Sequence, residues 1–570
     1  MGTVLPMDMT SSDDRERRAS PWGSAADSPV RLEDPTRLSE SMLWDVQHAY
    51  WERGSVAFAS GDVPFLLSTA PVVAHSYARL IEGFIEDVAA GRFGDSDPSE
   101  PVYVVDIGCG NGRLGYYVLR ELDQEHIDPM RVVYVFSDRA RANVDFCDSH
   151  PRLARYFESG QADIAQFDAE TDRSLILEKR GVELQPSTVA NPIVAIASYL
   201  FCAIPQDVFS VIDGRIYEEH VEVIAENGYV KPADATFFDS LFVARYHVPF
   251  EHGRYEERLD EVVNAVAAER GPDHQFLFPP HAIRVLDAIG DLSRHRSLVI
   301  VADRPETEPL TAPGEPRFLP AVNDDERGRR VVLDENTSRP ADLYGMDTHG
   351  SCISLPVDFG VLAAAARLAG GEMLGSPDLP SALTIRAFVE GEVERARAFR
   401  KGFREAITNP SPDDLWYTAH LTAVEEAPLQ GLLADLRVSG YDPDLLMKVY
   451  PGLQLLLREA PETWQRETLR VLDRVYDMNY RVSPTDDIAF GIAILLAKVK
   501  RWREAIIYFD RSKADFGPRP QSSFNAAVCH LNLGARDAAL AELDAALALD
   551  GGYKPAREMR ERVLAGESFD

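Results

Sequence analysis

The chain has 570 residues and a formal net charge of −33, and 45% of its residues are hydrophobic. This length is too great for one hydrophobic core and predicts two or three domains. The acidic balance excludes proteins that wrap nucleic acid or lie on anionic membranes, because those surfaces demand basic patches. The longest apolar run, over residues 192–205, is too short to span a membrane. We therefore expect neither a nucleic acid nor a membrane among the partners.

Cysteine usage and the first residues indicate the compartment. The five cysteines are scattered, without a Cys-x-x-Cys pair or a Cys/His cluster at zinc spacing, so a reduced cytoplasm and no metal are expected. Residues 1–37 lack the apolar segment of a secretory signal. We predict a disordered leader there, with ordered structure beginning near Leu38.

Two helices are predicted next. Residues 41–58 place apolar and aromatic side chains at helical intervals, which indicates an amphipathic helix. A loop then leads to a helix that begins near Pro71, and Thr69 is expected near its N-cap.

Residues 101–116 form the most informative stretch. They read P-V-Y-V-V-D-I-G-C-G-N-G-R-L-G-Y, which predicts a β-branched strand, a glycine turn and a helix. Such a unit cradles a phosphate or a cofactor at the edge of a parallel sheet. The dinucleotide fingerprint G-x-G-x-x-G is not met, because Arg113 occupies its third glycine position. An ordinary glycine-rich turn and a Rossmann variant remain alternatives at this point.

The turn instead carries an acid-x-G-x-G-x-G pattern made by Asp106, Gly108, Gly110 and Gly112. This pattern resembles the first motif of class I methyltransferases that use S-adenosylmethionine (SAM). The resemblance implies that the glycines permit close backbone approach to the cofactor, and that Asp106 holds an ammonium group or a bound water. It also implies a Rossmann-like α/β fold.

The next two strands supply further cofactor candidates. The second predicted strand ends at Asp138, where an acid can accept two hydrogen bonds from a ribose diol; an exposed helix-capping role is the alternative. Residues 159–164 resemble the third strand of these enzymes. That resemblance implies that Asp163 meets the adenine amino group while the backbone of Ile164 reads the ring, and Asp168 competes with Asp163 for this role.

A fourth buried strand and its loop are predicted over residues 191–204. Because ligands of open α/β sheets lie outside the carboxyl ends of the strands, this loop should border the methyl acceptor. Farther on, the sequence predicts paired strands around Asp213-Gly214, a helix over 254–268, a strand over 297–302, a surface loop over 303–348 and a helix over 384–407.

Four motifs in order extend the resemblance: G-D-x(6)-T-A-P at residues 61–71, the glycine motif, A-S-Y-L-F-C-A-I-P at 197–205 and P-V-D-F at 356–359. Together they resemble the MidA family over about residues 38–407. That family includes a mitochondrial arginine methyltransferase involved in the assembly of respiratory complex I. The resemblance implies SAM as cofactor, Thr69 at the cofactor, and Tyr199, His349 and Asp358 as catalytic candidates.

The acceptor loop departs from the family pattern. Where the family commonly has Asn, Glu and Asp, this chain has Ser198, Tyr199 and Cys202. A guanidinium is best oriented by carboxylates, so Asp207, Asp358 or another acid would have to replace those that are lost. We predict methylation of a protein or peptide side chain, with arginine as the leading candidate. A small-molecule methyltransferase and an inactive scaffold that binds proteins remain alternatives.

The last part of the chain is predicted to be helical after a linker at residues 409–414. Matching small and apolar side chains recur 34 residues apart, at Ala493 and Ala527, Ala505 and Ala539, Ile506 and Leu540, and Phe509 and Leu543. This period resembles tetratricopeptide repeats, whose stacked helix pairs usually bind peptides or proteins in a groove.

We therefore predict an α/β methyltransferase domain over residues 38–408 and an all-α, tetratricopeptide-repeat-like domain over 409–570. The helical domain is expected to dock the substrate or a partner, and a homodimer contact is the alternative. The cofactor pocket is expected to belong to the sheet alone, so that a chain ending near Asn409 still binds SAM.

Overall fold

A computed structural model describes most of the chain. Its described residues are 29–54, 68–124, 132–226, 237–306, 310, 317–318, 337–349, 352–375, 385–391, 395–408, 428–483 and 487–567. The leader predicted up to residue 28, the first part of the 61–71 motif, much of the 303–348 loop and the 409–414 linker lie outside these residues.

In the described part, strands occur up to residue 389, and helices occur throughout. The strands are β1 (Val30–Arg31), β2 (Thr36–Arg37), β3 (Val102–Ile107), β4 (Val132–Asp138), β5 (Ala162–Gln166), β6 (Leu175–Leu177), β7 (Val182–Leu184), β8 (Ile193–Ser198), β9 (Asp207–Ile212), β10 (Arg215–Ala225), β11 (Leu241–Pro249), β12 (His274–Phe278), β13 (Ser297–Ala302), β14 (Arg317–Phe318), β15 (Thr337–Ser338), β16 (Asp347–His349), β17 (Cys352–Ser354), β18 (Glu372–Leu374) and β19 (Arg386–Val389). The helices are α1 (Met42–Trp51), α2 (Pro71–Ala89), α3 (Arg113–Gln124), α4 (Arg141–Ser149), α5 (Ala154–Glu158), α6 (Glu257–Arg270), α7 (Pro280–Leu292), α8 (Phe359–Leu368), α9 (Arg397–Thr408), α10 (Leu429–Val438), α11 (Pro443–Leu456), α12 (Glu462–Met478), α13 (Ile488–Lys498), α14 (Trp502–Phe516), α15 (Pro520–Asn532), α16 (Arg536–Leu549) and α17 (Lys554–Leu564).

Seven strands form the central sheet in the order β5-β4-β3-β8-β13-β19-β18. The first five run parallel, β19 runs antiparallel to β13, and β18 runs antiparallel to β19. The middle strands are rich in valine and isoleucine and almost fully buried, as expected for strands covered on both faces. The carboxyl ends of β3, β4 and β8 meet at one edge, and this edge carries the glycine turn.

Helices cover both faces of this sheet. The core on one face contains side chains of α2, α3, α4 and α9, and the core on the other contains side chains of α6, α7 and α8. Helices α2 and α9 approach closely at two glycines: a Cβ on Gly83 would lie 2.7 Å from the Ala398 carbonyl oxygen, and one on Gly402 would lie 2.7 Å from that of Arg79. Glycine at these positions lets α9 pack directly on α2.

A second sheet, in the order β12-β9-β10-β11-β14, follows the predicted hairpin around Asp213-Gly214. Strands β1 and β2 pair with β10 as well, and β15 pairs with β11. The prediction of a leader up to residue 37 is therefore wrong at its end, because residues 30–37 are held in this sheet. Their backbone amides find partners on β10, for example between Val30 and Ala225.

One local prediction needs correction. The predicted helix over 384–407 begins only at Arg397, because residues 386–389 form strand β19, which pairs with β13 in the central sheet. Arg386 is fully buried there, with its guanidinium 3.8 Å from the centre of the Phe359 ring. The helix predicted near Pro71 begins at that residue, and Thr69 directly precedes its N-cap, Ala70, as expected.

After residue 428, all the regular elements that the structure describes are helices. Three of the four pairs that recur 34 residues apart are fully buried in the helix stack, and the fourth, Ile506 and Leu540, is partly buried. The buried pairs are Ala493 and Ala527, Ala505 and Ala539, and Phe509 and Leu543. Helices α10 to α12 share one core with α13 to α15. The protein thus has an α/β sheet region followed by an all-helical region. Within the described residues, none of the helices has the length and apolar character needed to cross a membrane.

Candidate functional site

A cavity of about 190 Å³ lies at the carboxyl edge of the central sheet. It is bordered by the turns that follow β3 and β4, by the segment after β5 and by the loop after β8. Helix α1 and the residues just before α2 cover it from the other side. Ligands of open α/β sheets bind at this place, outside the carboxyl ends of the strands.

The glycine turn approaches this cavity with its backbone. Gly108, Gly110 and Gly112 have φ angles of +69°, +56° and +73°, a region that residues with a Cβ rarely adopt. A Cβ on Gly108 would lie 3.1 Å from Cδ1 of Leu200. Gly108 and Gly110 line the cavity, whereas Gly112 does not and packs where a Cβ would lie 2.6 Å from Sγ of Cys147.

Asp106 lies at the end of β3 and lines the cavity, only 2% exposed. Its Oδ2 accepts a hydrogen bond of 2.9 Å from the Tyr134 hydroxyl. Burial raises the pKa of Asp106 to about 7, against the opposing effect of the Tyr134 hydrogen bond. The carboxyl therefore changes charge near neutral pH and can hold a cationic group in its ionised form.

Asp138, at the end of β4, also lines the cavity. Its Oδ2 accepts 2.9 Å from the Gly110 amide, and its Oδ1 accepts 2.8 Å from the Ala140 amide. Burial raises the pKa of Asp138, while these backbone bonds lower it. One carboxylate thus fixes both the glycine turn and the start of α4. Asp138 is buried, so it is not the exposed capping residue of the alternative interpretation, and its contact with a ribose stays a prediction.

Asp163 and Ile164 are not among the described residues that line the cavity. The Asp163 carboxylate is fully buried and accepts hydrogen bonds from the amides of Lys179 (2.8 Å) and Arg180 (3.1 Å). Because β5 continues to Gln166, the chain reaches the sheet edge only after that residue. The prediction that Asp163 and Ile164 contact adenine is corrected on this ground.

The segment that follows β5 lines the cavity instead, through Phe167, Asp168, Ala169 and Glu170. Asp168 pairs with Arg139 at 3.3 Å and accepts a hydrogen bond from the Glu170 amide. Of the two competing sequence candidates, Asp163 and Asp168, it is therefore Asp168 that reaches the cavity.

Helix α1 contributes side chains that the sequence did not single out. His48, Trp51 and Glu52 line the cavity, and Nε2 of His48 lies 2.7 Å from Oε1 of Glu170. The buried Gln47 side chain donates to the carbonyl oxygens of Ala203 (3.3 Å) and Ile353 (2.7 Å). The helical pattern predicts α1, but no sequence pattern indicates which strands it will cover.

The loop after β8 borders the cavity with Tyr199, Leu200 and Ile204. Tyr199 has a φ of +54°, and its amide donates to the Ala302 carbonyl oxygen at 2.8 Å. Oδ2 of the buried Asp303 accepts from the amides of Phe201 (2.8 Å) and Cys202 (3.1 Å). Burial raises the pKa of Asp303 to about 6. Asp303, which sequence reasoning missed, thus holds the loop in place from β13.

One of the other two catalytic candidates lies away from the cavity. Asp358 caps α8, where its Oδ1 accepts from the Val361 amide (3.1 Å) and from Nη2 of Arg270 (2.6 Å), and it is not among the residues that line the cavity. A catalytic role for Asp358 stays a prediction. His349 ends β16, opposite Cys352, and its side chain lies outside the described part. Among the described residues, no group of three or more His, Cys, Asp or Glu side chains could hold a metal ion.

The helical region reaches the back of the glycine turn. The Tyr480 hydroxyl donates to the Asn111 carbonyl oxygen at 2.8 Å, and the Tyr480 ring stacks on His150 at 3.8 Å. The buried Arg113, which follows the last glycine, pairs with Asp442 (3.4 Å) and Asp444 (2.5 Å). The helical region thus contacts the glycine turn from behind, although none of its described residues lines the cavity.

Of the sequence-predicted site residues, the structure brings Thr69, Asp106, Gly108, Gly110, Asp138 and Tyr199 to the cavity. Sequence reasoning missed three groups that share it: the side chains of α1, the neighbours of Asp168 in the segment after β5, and Asn111, which lies inside the glycine motif itself. The binding roles of all these residues remain predictions.

No protein-family model matches the sequence, and no curated protein matches it. Several solved structures are similar in part. A COG1565 superfamily protein from Burkholderia thailandensis is 12% identical with a TM-score of 0.34, covering 64% of this chain and 88% of that chain. A second COG1565 superfamily member from that organism, bound to S-adenosyl-homocysteine (SAH), is 14% identical with a TM-score of 0.35, covering 62% of this chain and 88% of that chain.

A third similar structure matches a smaller part of the chain. It is YrrB, a tetratricopeptide-repeat protein with an unusual peptide-binding site, at 21% identity and a TM-score of 0.21, covering 30% of this chain and 84% of that one. At these TM-scores the similarities carry no weight for the activity of this chain.

Proposed function

We propose that the protein is a SAM-dependent methyltransferase. The observation that carries the proposal is the cavity at the carboxyl edge of β3, β4 and β8. There, glycine backbone at positive φ and the buried carboxyls of Asp106 and Asp138 come together. SAM offers an ammonium group and a ribose diol, which are partners suited to two carboxylates, and the glycines leave room for close approach.

The sheet supports the same proposal. Five parallel strands followed by the antiparallel strand β19, with β18 paired on its far side, agree with the class I methyltransferase fold that the glycine motif implies. The departure from the dinucleotide fingerprint also has a physical basis. The fingerprint needs its third glycine for close packing of helix on strand, whereas Arg113 at that position is buried in ion pairs with the helical region.

When bound, SAM supplies a methyl group already activated by its sulfonium sulfur. The protein then has to orient the acceptor, exclude water and take up the proton that the acceptor loses. Tyr199, Leu200 and Trp51 form an apolar wall that excludes water. The His48 imidazole, paired with Glu170, is the cavity group suited to take up a proton.

We propose a protein or peptide side chain as the acceptor, with arginine as the leading candidate. The loop over 199–204 carries no acid, but Glu52, Asp168 and Glu170 line the same cavity and could orient a guanidinium. Asp207 is not available for this part, because its carboxylate accepts from Ser39 and from the Tyr255 hydroxyl. The helical region would dock the polypeptide that carries the acceptor.

A small-molecule acceptor is the second candidate. Trp51, Phe167, Tyr199, Leu200 and Ile204 give the cavity a largely apolar wall, as small-molecule sites commonly have. This wall favours an uncharged, partly aromatic or aliphatic acceptor over a guanidinium. An inactive scaffold is the third candidate and predicts no SAM binding at all.

One experiment separates these candidates. The full chain is incubated with methyl-labelled SAM and a lysate of its own cells, the labelled band is hydrolysed, and the amino acids are identified. Label in methylarginine supports the leading candidate. Label in another amino acid or in an organic-soluble product contradicts it, and the Gly110→Val variant, which should transfer nothing, controls for other enzymes in the lysate.

A further inference from the structure

A second cavity, of about 300 Å³, lies between the sheet region and the helical region. Helices α2 and α3 form one side of it, with His75, Arg120 and Glu121. Helix α10, the turn after it and helix α12 form the other side, with Arg437, Tyr441 and Arg474. This cavity is separate from the one at the sheet edge, since the two share no lining residue.

The charged groups around this cavity are predominantly cationic. It is lined by three arginines and one carboxylate, Glu121, whose Oε2 is already 2.8 Å from Nδ1 of His75. Arg437 pairs with Glu467 at 2.6 Å. Arg120 donates to neutral acceptors, the Asp477 carbonyl oxygen at 2.7 Å and the Tyr116 hydroxyl at 3.3 Å.

Arg474 is exposed and has no hydrogen-bond or ion-pair partner among the described residues. The three arginines that line the cavity thus face a single lining carboxylate, Glu121, and Glu467 pairs with Arg437, so positive charge remains in excess around the cavity. This contrasts with the whole chain, in which acids outnumber bases by 92 to 59. Like charges that converge on one cavity repel one another, and a bound anion removes that cost.

We propose that this cavity binds a small organic oxyanion, a carboxylate or a phosphate ester. The planar guanidinium groups of Arg120, Arg437 and Arg474 match the oxygens of such a group. Pro71, Val72 and Met478 supply apolar wall for the rest of the molecule. The volume suits a metabolite-sized ligand rather than a folded partner.

The ligand would bridge the two regions behind the cofactor turn. Helix α3 begins directly after the glycine motif and carries Arg120 in its last turns. Helix α2 begins at Pro71, directly after Ser68 and Thr69, which line the first cavity. An anion held here therefore contacts both helices that lead from the proposed cofactor site, as well as the helical region.

The test is a titration of the full chain with inorganic phosphate and, separately, with malonate, in the absence of SAM. Ionic strength is kept constant with chloride, and binding is followed by calorimetry and by thermal unfolding. Arg474→Gln is the test variant. Arg466→Gln is the matched control, because Arg466 lies two turns earlier on the same helix, is exposed and does not line the cavity.

The expected result is saturable, stabilising binding of one anion per chain, weakened at least about tenfold in Arg474→Gln and unchanged in Arg466→Gln. Saturation by phosphate alone assigns a phosphate ester, and saturation by malonate alone assigns a carboxylate. No saturation at millimolar anion, or an equal response of both variants, overturns the proposal. Because SAM is absent, neither outcome bears on the proposed methyltransferase activity.

Discussion

The turn after β3 is built from residues whose roles depend on backbone geometry. Three glycines at positive φ bring the main chain to the cavity, and Asp138 fixes the turn by accepting from the Gly110 amide. Asp106 lies beneath the turn with its carboxyl almost fully buried. Each of these residues can be changed singly, and the changes should separate binding from folding.

Gly110→Val is expected to abolish SAH binding. A valine at φ +56° is strained by about 1–2 kcal/mol, and Gly110 lines the cavity, so the change alters the backbone that the cofactor must approach. Gly91→Val is the matched control, since Gly91 has a φ of +69° and a Cβ added there would meet no atom within 4 Å. Calorimetry with SAH and thermal unfolding are measured on both variants. If the two variants lose similar stability and Gly110→Val still binds SAH, the glycine turn is not part of the proposed site.

The pKa of Asp106, raised to about 7 by burial, predicts a pH dependence of cofactor binding. The ionised carboxylate is the form that attracts an ammonium group, so SAH affinity should rise as pH increases from 6 to 8, by at most about tenfold per unit. The stability of the free protein should change with pH in the opposite direction to the SAH affinity. A raised folded-state pKa stabilises the free protein at low pH, and this stabilisation is lost as pH rises through the folded pKa.

Asp106→Asn is the control for this pH dependence. The variant removes the titrating group with little change of shape, and its SAH affinity should be low and nearly independent of pH over the same range. Affinity profiles are measured by calorimetry at matched ionic strength. A pH profile that persists unchanged in Asp106→Asn would assign the titration to another group.

Asp163 and Asp168 should respond differently to alanine. Asp163→Ala removes the acceptor of three backbone amides at a fully buried site, so we expect a loss of about 1–3 kcal/mol in the free energy of unfolding, with SAH affinity preserved. Asp168→Ala is expected to weaken SAH by about tenfold, because Asp168 lines the cavity. Denaturant unfolding and calorimetry distinguish the two, and the reverse pattern would restore Asp163 as a cofactor ligand.

At the scale of elements, the sequence predicts those strands and helices that have one clear periodicity. The strand over 297–302 and the hairpin around Asp213-Gly214 are found where they are predicted, because β-branched runs and a turn pair define them locally. Strand β19 could not be predicted, since its four residues become a strand through pairing with β18 and with β13, the latter almost 90 residues earlier. The sequence of these four residues does not indicate which distant strand they pair with.

The candidate site also combines residues that the local sequence predicts with residues that only distant packing brings together. The glycine motif could be found from sequence because close backbone approach requires glycine at fixed spacing. His48, Glu170 and Asp303 could not, because they meet the site only through the packing of α1, the segment after β5 and β13. Asp163 was misplaced for the related reason that the length of β5, which decides where the sheet edge lies, is not set by the local pattern.

The contact between Tyr480 and the glycine turn makes a prediction at this scale. Tyr480→Phe removes the 2.8 Å hydrogen bond to the Asn111 carbonyl while keeping the ring stacked on His150. We expect SAH affinity to fall by up to about tenfold, since a neutral hydrogen bond contributes about 0.5–1.5 kcal/mol. Tyr508→Phe is the control, because the Tyr508 hydroxyl bonds Asp473 within the helical region. Equal SAH affinities in both variants would show that the contact does not hold the turn.

At the scale of the whole molecule, the helical region is part of the structure that supports the cofactor turn. Met478, Tyr480 and Val482 belong to the same buried core as α2 and α3, and Arg113 is neutralised by acids of the turn before α11 and its first residues. A chain ending near Asn409 would expose this core and leave Arg113 without its partners. Such a chain should therefore lose SAM binding, contrary to the expectation from sequence.

The proposal that the chain is a SAM-dependent methyltransferase is tested most directly by titrating the full chain with SAM in a calorimeter. One SAM should bind per chain with micromolar affinity, and the Gly110→Val variant, shown to be folded by thermal unfolding, should give no binding heat. Absence of binding by the folded, unaltered chain would contradict the account, as would equal binding by the Gly110→Val variant.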